Sequence, residues 1–244
     1  MKLYENVAIG NFLYGLGFAI RSGLEGKTTP FPSVVNLLQQ TPADTALGDV
    51  LLTFPGVVRL IEFKAQGARM QKEQLRHRAL MAALEKNDEM RATSKQIHWY
   101  VDVAASSEVD NPLLVRAVPY VEALGTDARV AQGMENFIRQ TAKQALVPTP
   151  ETSTERAQRY LALVRMTQGK EDTGTSGLLL VLGGGGALHF AQLRDITDLD
   201  LPHREWLVDY EKRSMGLAAR LERAMPDVAE KEMEYQAPEM DWEP

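Results

Sequence analysis

Residues Leu47 to Lys64 read LGDVLLTFPGVVRLIEFK, two short apolar runs separated by a Pro-Gly pair. Apolar and β-branched residues on either side of such a turn signal predict a β-hairpin. Asp49 lies near the start of the first strand, and the second strand ends in Glu62-Phe63-Lys64. Because side chains alternate across a strand, we expect Glu62 and Lys64 on one face and Phe63 in the core on the other.

Asp49, Glu62 and Lys64 form a candidate site. Two carboxylates brought together by strand pairing repel each other unless a proton or a cation lies between them. Mg²⁺ is held in proteins by one or two carboxylates with waters and phosphate oxygens, and Mn²⁺ accepts similar ligands. A lysine beside the metal can stabilise a phosphate or orient the attacking water. The pattern predicts metal-assisted phosphodiester hydrolysis, although a Glu-x-Lys pair alone is typical of any solvated strand.

The two strands, Gly48-Asp49-Val50-Leu51-Leu52 and Leu60-Ile61-Glu62-Phe63-Lys64, resemble the signature of the PD-(D/E)XK nuclease superfamily. Gly48 stands where the superfamily's name has a proline. In that superfamily the acidic residue begins one strand of a hairpin, E-x-K ends the next, and a helix follows. The resemblance covers roughly residues 1–105. It implies an α/β (α+β) fold, a restriction-endonuclease-like mixed sheet flanked by helices.

The resemblance also implies an activity, a Mg²⁺- or Mn²⁺-dependent endonuclease that hydrolyses DNA phosphodiester bonds. Asp49 and Glu62 would be the metal ligands, with the backbone carbonyl of Phe63 as a further ligand. Lys64 would orient the water and stabilise the transition state.

Two more site positions are suggested by similar nucleases. The first helix often supplies a Glu, for which Glu5 is the candidate and Glu25 its competitor; a Glu in a first helical turn is also favoured electrostatically without any role in a site. The helix after E-x-K often holds a polar residue that points back at the site, and Gln74 is the candidate there. Many helical glutamines have no such role.

Composition bounds the class of protein. The 244 residues include no cysteine, which excludes disulfides and thiolate metal sites, and the four histidines are scattered rather than spaced for zinc. Neither a signal-peptide pattern nor an apolar run long enough to span a bilayer is present, so we expect a cytoplasmic protein without a membrane partner.

Charge is unevenly distributed along the chain. The net charge is −6, yet residues 64–86 contain six basic and two acidic residues. A helix is predicted over Arg69–Lys86, with an apolar stripe of Leu75, Ala79, Leu80, Ala83 and Leu84. Its opposite face carries Lys72, Arg76 and Arg78, which either contact nucleic-acid phosphates or are simply solvated.

The remaining chain suggests three regions: a nuclease core (1–105), an extension that could be a lobe of the same domain (106–226), and an acidic tail (227–244). In the core, a helix is predicted over 3–20 and a strand over 96–104, parallel to the Glu62 strand; residues 34–38 could be a strand or a helical turn. The extension should contain helices at 127–146, 152–168 and 203–225 and two strands, 178–182 and 187–193, joined by a glycine turn.

A second function remains open: a catalytically inactive, nuclease-fold binding or scaffold subunit of a larger assembly, for example in phage defence. The overall acidity of the chain and its acidic tail favour this second function. Either the acidic tail or the C-terminal half could bind a protein partner. An RNA-directed nuclease is a third option. Cutting both strands of DNA would favour a homodimer. Restriction, phage defence, repair, transposition and interbacterial toxicity all use such a core.

Overall fold

Helices and strands follow one another along the computed structural model, which describes residues 4–25, 31–38, 47–106, 113–124, 131–148, 151–168, 177–182 and 188–193. In chain order these elements are α1 (Glu5–Gly23), β1 (Phe31–Leu37), β2 (Val50–Phe54), β3 (Val57–Ala65), α2 (Gln71–Leu84), α3 (Asp88–Ile97), β4 (His98–Ala105), β5 (Leu113–Pro119), a 3₁₀ turn (Tyr120–Glu122), α4 (Met134–Ala145), α5 (Glu151–Thr167), β6 (Gly177–Leu182) and β7 (Leu188–Leu193). The predicted glycine turn, the predicted helix at 203–225 and the acidic tail lie outside the described residues.

The strands form one seven-stranded mixed sheet in the order β5-β4-β3-β2-β1-β6-β7. β3 and β4 are parallel, while all the other neighbouring pairs are antiparallel. A parallel pair needs a crossover connection, which α2 and α3 supply between β3 and β4. The predicted α/β class, a mixed sheet flanked by helices, is confirmed, as is the parallel pairing of the Glu62 strand with the next strand.

Helices cover the two faces of the sheet. On one face, α1 and α4 pack against Ile61, Phe63 and Trp99. On the other face, α2, α3 and α5 pack around Leu60 and Tyr100. Burying each such apolar side chain stabilises the fold by about 1.5–3 kcal/mol. Since β2 and β3 are held from both sides, the side chains at their ends have a rigid support.

The register of α2 differs from the predicted one. Leu80 and Leu84 are buried as expected, but Leu75 is 64% exposed, and Ala79 and Ala83 are exposed as well. Glu73, in contrast, is only 3% exposed. Hydrophobic periodicity assumes that charged residues face water, and this assumption fails where a charge has buried partners.

Chain beyond residue 105 contributes to the same sheet. β5 pairs with β4 at one edge, and the hairpin of β6 and β7 pairs with β1 on the other side. The segment around Val34, which the sequence left unassigned, is the strand β1 and lies between β2 and β6. The predicted extension therefore completes the sheet of the core.

Candidate functional site

The β2–β3 hairpin brings Asp49 and Glu62 together. The two strands turn at Pro55-Gly56 and pair in a register that matches Val50 with Ile61, so the next position along places Asp49 opposite Glu62. The backbone N–H of Asp49 donates to the carbonyl of Ile61 at 3.1 Å. These contacts fix the start of β2 against the end of β3.

Asp49 is held by the backbone of the facing strand. Its Oδ2 accepts a hydrogen bond of 2.7 Å from the N–H of Phe63, and the side chain is buried. A carboxylate held by a backbone donor has a fixed orientation and keeps its second oxygen in a defined place. Asp49 is thus oriented before any ligand arrives.

Glu62 and Lys64 lie on the same face, as the alternation predicts. Lys64 Nζ is 2.5 Å from Glu62 Oε1 and also donates to the carbonyl of Phe63 at 3.1 Å. Glu62 is only 2% exposed. A side chain at Gly48 would place its Cβ 3.3 Å from Glu62 Oε2, so the glycine leaves room for this carboxylate.

Burial and neighbouring charges shift the pKa values of Glu62 and Lys64. Burial raises the pKa of Glu62 well above its usual value, and the neighbouring Asp49 and Glu73 raise it further against the opposing effect of Lys64. Burial alone would lower the pKa of Lys64, but Glu62, Asp49 and Glu5 outweigh it and raise that pKa to about 12. Lys64 is therefore an ammonium at neutral pH, suited to stabilise negative charge rather than to accept a proton.

Glu5 is the acidic residue of α1 that reaches this place. Its Oε1 accepts a hydrogen bond of 3.1 Å from the N–H of Ala65, at the end of β3. Glu25 is exposed and follows the other end of α1. At 1.5 Å per residue, α1 rises about 27 Å from Glu5 to its last residue, Gly23, two positions before Glu25. Of the two candidates, only Glu5 lies beside the cluster.

On α2, the residues that face the site are not the expected ones. Gln74, expected to point back at the site, is exposed, and Glu73 faces inward instead. Arg76, expected on the outer basic face, has a side chain only 10% exposed that lies 3.5 Å from Glu62 Oε1 and 3.7 Å from Glu73 Oε2. Lys72 and Arg78 are exposed, as expected of the basic face.

A signal for these inward charges was present in the sequence. Glu73 lies seven residues before Leu80, and Arg76 lies eight residues before Leu84, which places both on the line of the buried leucines. Their spacing of three also allows an ion pair on one helix face. A charged pair in line with a buried stripe is therefore a useful marker of a polar site.

The donor set fits a hard divalent cation. Asp49, Glu62 and the Phe63 carbonyl would be its protein ligands, and Mg²⁺ is commonly bound by one or two carboxylates with waters. Within the described ranges, no group of three or more His, Cys, Asp or Glu side chains is arranged to hold a metal ion. A bound cation would favour the ionised form of Glu62, which burial and the neighbouring Asp49 and Glu73 disfavour.

Comparison with family models, curated proteins and solved structures finds no match to this chain. Over the part of the chain that the structure describes, no helix is both long and apolar enough to cross a lipid bilayer.

Proposed function

We propose that the protein is a Mg²⁺-dependent endonuclease that hydrolyses DNA, and that it belongs to the PD-(D/E)XK nucleases. The observation that carries this proposal is the meeting of Asp49, Glu62 and Lys64 on one face at the ends of adjacent strands. The order of elements supports it: a helix, three antiparallel strands, then a helical crossover to a parallel fourth strand. Glu5 from the first helix adds a third carboxylate nearby.

Each residue has a distinct role in the proposed reaction. Asp49 and Glu62 would hold the metal, with the Phe63 carbonyl as a further ligand. The bound Mg²⁺ would polarise the scissile phosphate and lower the pKa of the attacking water. The Lys64 ammonium, held by Glu62 and the Phe63 carbonyl, is already oriented to stabilise the charge that develops on the phosphate.

The experiment is cleavage of supercoiled plasmid by the purified chain with Mg²⁺, with Mn²⁺ and with EDTA. We expect cutting only with the metals, and a loss of at least about 100-fold in rate for Lys64→Ala, since Lys64 stabilises charge in the transition state. Lys143→Ala is the matched control, because Lys143 is exposed on α4, on the other face of the sheet. Equal rates for Lys64→Ala and the wild type would refute the mechanism. A parallel assay with RNA distinguishes the two substrates.

A second candidate, the non-catalytic binding subunit, is favoured by two contacts to Glu62. Both Lys64 and Arg76 approach Glu62 Oε1, so two cations already supply charge that a metal would bring. Such a protein would keep its fold and cut neither DNA nor RNA with either metal. The same plasmid and RNA assays therefore decide between the two candidates.

A further inference from the structure

Two charged residues on α2 lie beside Glu62: Glu73 is buried, and the side chain of Arg76 is largely covered. The carboxylate of Glu73 and the guanidinium of Arg76 lie one helical turn apart, 3.7 Å from each other at their nearest atoms. Burying ionised groups is costly unless they are paired. Arg76 meets this condition by lying between Glu73 and Glu62, so a single guanidinium joins α2 to the end of β3.

Glu73 is itself fixed from its other side. The hydroxyl of Tyr120 donates to Glu73 Oε1, and the Tyr120 ring stacks on His98 with 4.0 Å between centroids and 2° between planes. The Nδ1 of His98 is 2.8 Å from the hydroxyl of Tyr160 on α5. Polar and ring contacts therefore run without interruption from Glu62 through α2, the 3₁₀ turn and β4 to α5.

Little free space surrounds this chain of contacts. A cavity of about 10 Å³ lies among Glu62, Glu73, Arg76, His98 and Tyr120. That volume is close to the minimum for a single water molecule. Glu62, Glu73 and Arg76 line this cavity together.

We propose that Arg76, braced by Glu73, is a positioning residue that orients the Glu62 carboxylate toward a bound divalent cation. The inference rests on the proposed function, because it takes Glu62 as a metal ligand. Groups that orient metal ligands without touching the metal typically change metal affinity about 10- to 100-fold when they are removed. Arg76 therefore belongs to the site as a residue that acts through Glu62.

The sign of the effect distinguishes positioning from simple charge. Removing a positive charge next to a cation site should tighten cation binding if Coulomb interactions alone matter. Removing a group that orients a ligand should weaken binding instead. The two accounts of Arg76 thus predict opposite changes in metal affinity.

The experiment measures Mn²⁺ affinity of the full chain by electron paramagnetic resonance, with no substrate and no turnover. We expect Arg76→Ala to weaken Mn²⁺ binding about 10- to 100-fold. Arg76→Lys, which keeps the charge but not the planar fork, should recover part of that loss. Glu73→Gln should weaken binding in the same direction. The controls are Arg139→Ala on α4 and Glu85→Gln after α2, both at exposed positions and expected to bind as the wild type does.

An affinity for Arg76→Ala equal to or tighter than that of the wild type would overturn the positioning role and leave the nuclease proposal standing. If circular dichroism shows Arg76→Ala to be unfolded, Arg76→Lys decides, because it keeps the positive charge and loses the planar guanidinium. Wild-type affinity in Arg76→Lys would then overturn the positioning role. A wild type that binds Mn²⁺ but cuts no nucleic acid ends the nuclease proposal alone. A wild type that binds no Mn²⁺ overturns both.

Discussion

His98 is a buried imidazole whose surroundings disfavour its charged form. Burial is the main cause, and Arg76 and His77 add to it, so the pKa of His98 falls from its usual 6.5 to about 3. Between these two values the unfolded chain binds a proton that the folded protein does not. The stability that neutral His98 contributes is therefore present above pH 6.5 and is lost as the pH falls toward 3.

We predict that replacing His98 flattens the acid side of the stability profile. One such group changes the free energy of unfolding by about 1.4 kcal/mol per pH unit within its window. From pH 7 to pH 5, the wild type should lose on the order of 2 kcal/mol more than His98→Gln does. The raised pKa of Glu62 acts in the opposite direction in both proteins, so the difference between them is the informative quantity. Urea unfolding at several pH values measures it, and parallel profiles would contradict the prediction.

Residue placement was predictable where it depends on local rules. The meeting of Asp49, Glu62 and Lys64 could be predicted, because a two-residue turn fixes the register of the two strands and the alternation of side chains fixes the face of the sheet. The inward orientation of Glu73 and Arg76 could not be predicted, since a charged residue faces inward only when residues distant in sequence compensate its charge. Those partners, Glu62 and Tyr120, lie in other elements of the chain.

At the scale of elements, the β2–β3 turn is clamped by the end of α4. A Cβ at Gly56 would overlap the backbone carbonyl oxygens of Gln144 and Val147. Because backbone atoms cannot move aside as a side chain can, an added methyl group there forces the hairpin away from the helix. The same hairpin carries Asp49 and Glu62 at its open end.

We predict that Gly56→Ala destabilises the protein by about 1–3 kcal/mol. Gly10→Ala is the matched control, because Gly10 lies within α1 and a Cβ there would meet nothing within 4 Å. Alanine is the better helix former, so this control should gain up to about 1 kcal/mol. Chemical denaturation of both variants gives the comparison. Equal stabilities for Gly56→Ala and Gly10→Ala would show that the β2–β3 turn does not pack tightly against the end of α4.

Elements were predictable from the sequence to different degrees. The β2–β3 hairpin and β4 follow from apolar alternation, and their bounds lie within two residues of the predicted ones. β1 was not assignable because prolines flank and interrupt it, and because its strand conformation is set by β2 and β6 on either side. Partner strands, not local preference, define such a segment.

For the whole molecule, charge distribution matters more than the net charge of −6. Lys72 and Arg78 are exposed on α2, the helix that follows the site. If both contact phosphates, the double variant Lys72→Ala/Arg78→Ala should reduce the slope of log affinity against log salt by about 2. Fluorescence anisotropy with a labelled duplex, with Ca²⁺ in place of Mg²⁺, measures this slope.

The matched control is Arg139→Ala/Lys143→Ala, which removes the same charge from exposed positions of α4 on the other face of the sheet. Its slope should equal that of the wild type. Identical slopes for the two double variants would mean that α2 is not the surface that binds nucleic acid.

The complete sheet was the least predictable level. A parallel β3–β4 pair follows from the helical crossover between two strand patterns. The pairing of β6 with β1 does not follow from the sequence. The two strands are joined by contacts such as the hydrogen bond from Ser33 Oγ to the carbonyl of Leu180, and these two residues are 147 positions apart. Nothing in a local pattern specifies a partner at that distance.

This long separation has a consequence for synthesis. A ribosome that adds about 5–20 residues per second needs roughly 7 to 30 seconds to deliver β6 after β1 has emerged. During that interval the outer edge of β1 displays unpaired backbone groups, which invite pairing with another nascent copy. The yield of native protein should therefore depend on the rate of translation. It should also depend on the local concentration of identical nascent chains.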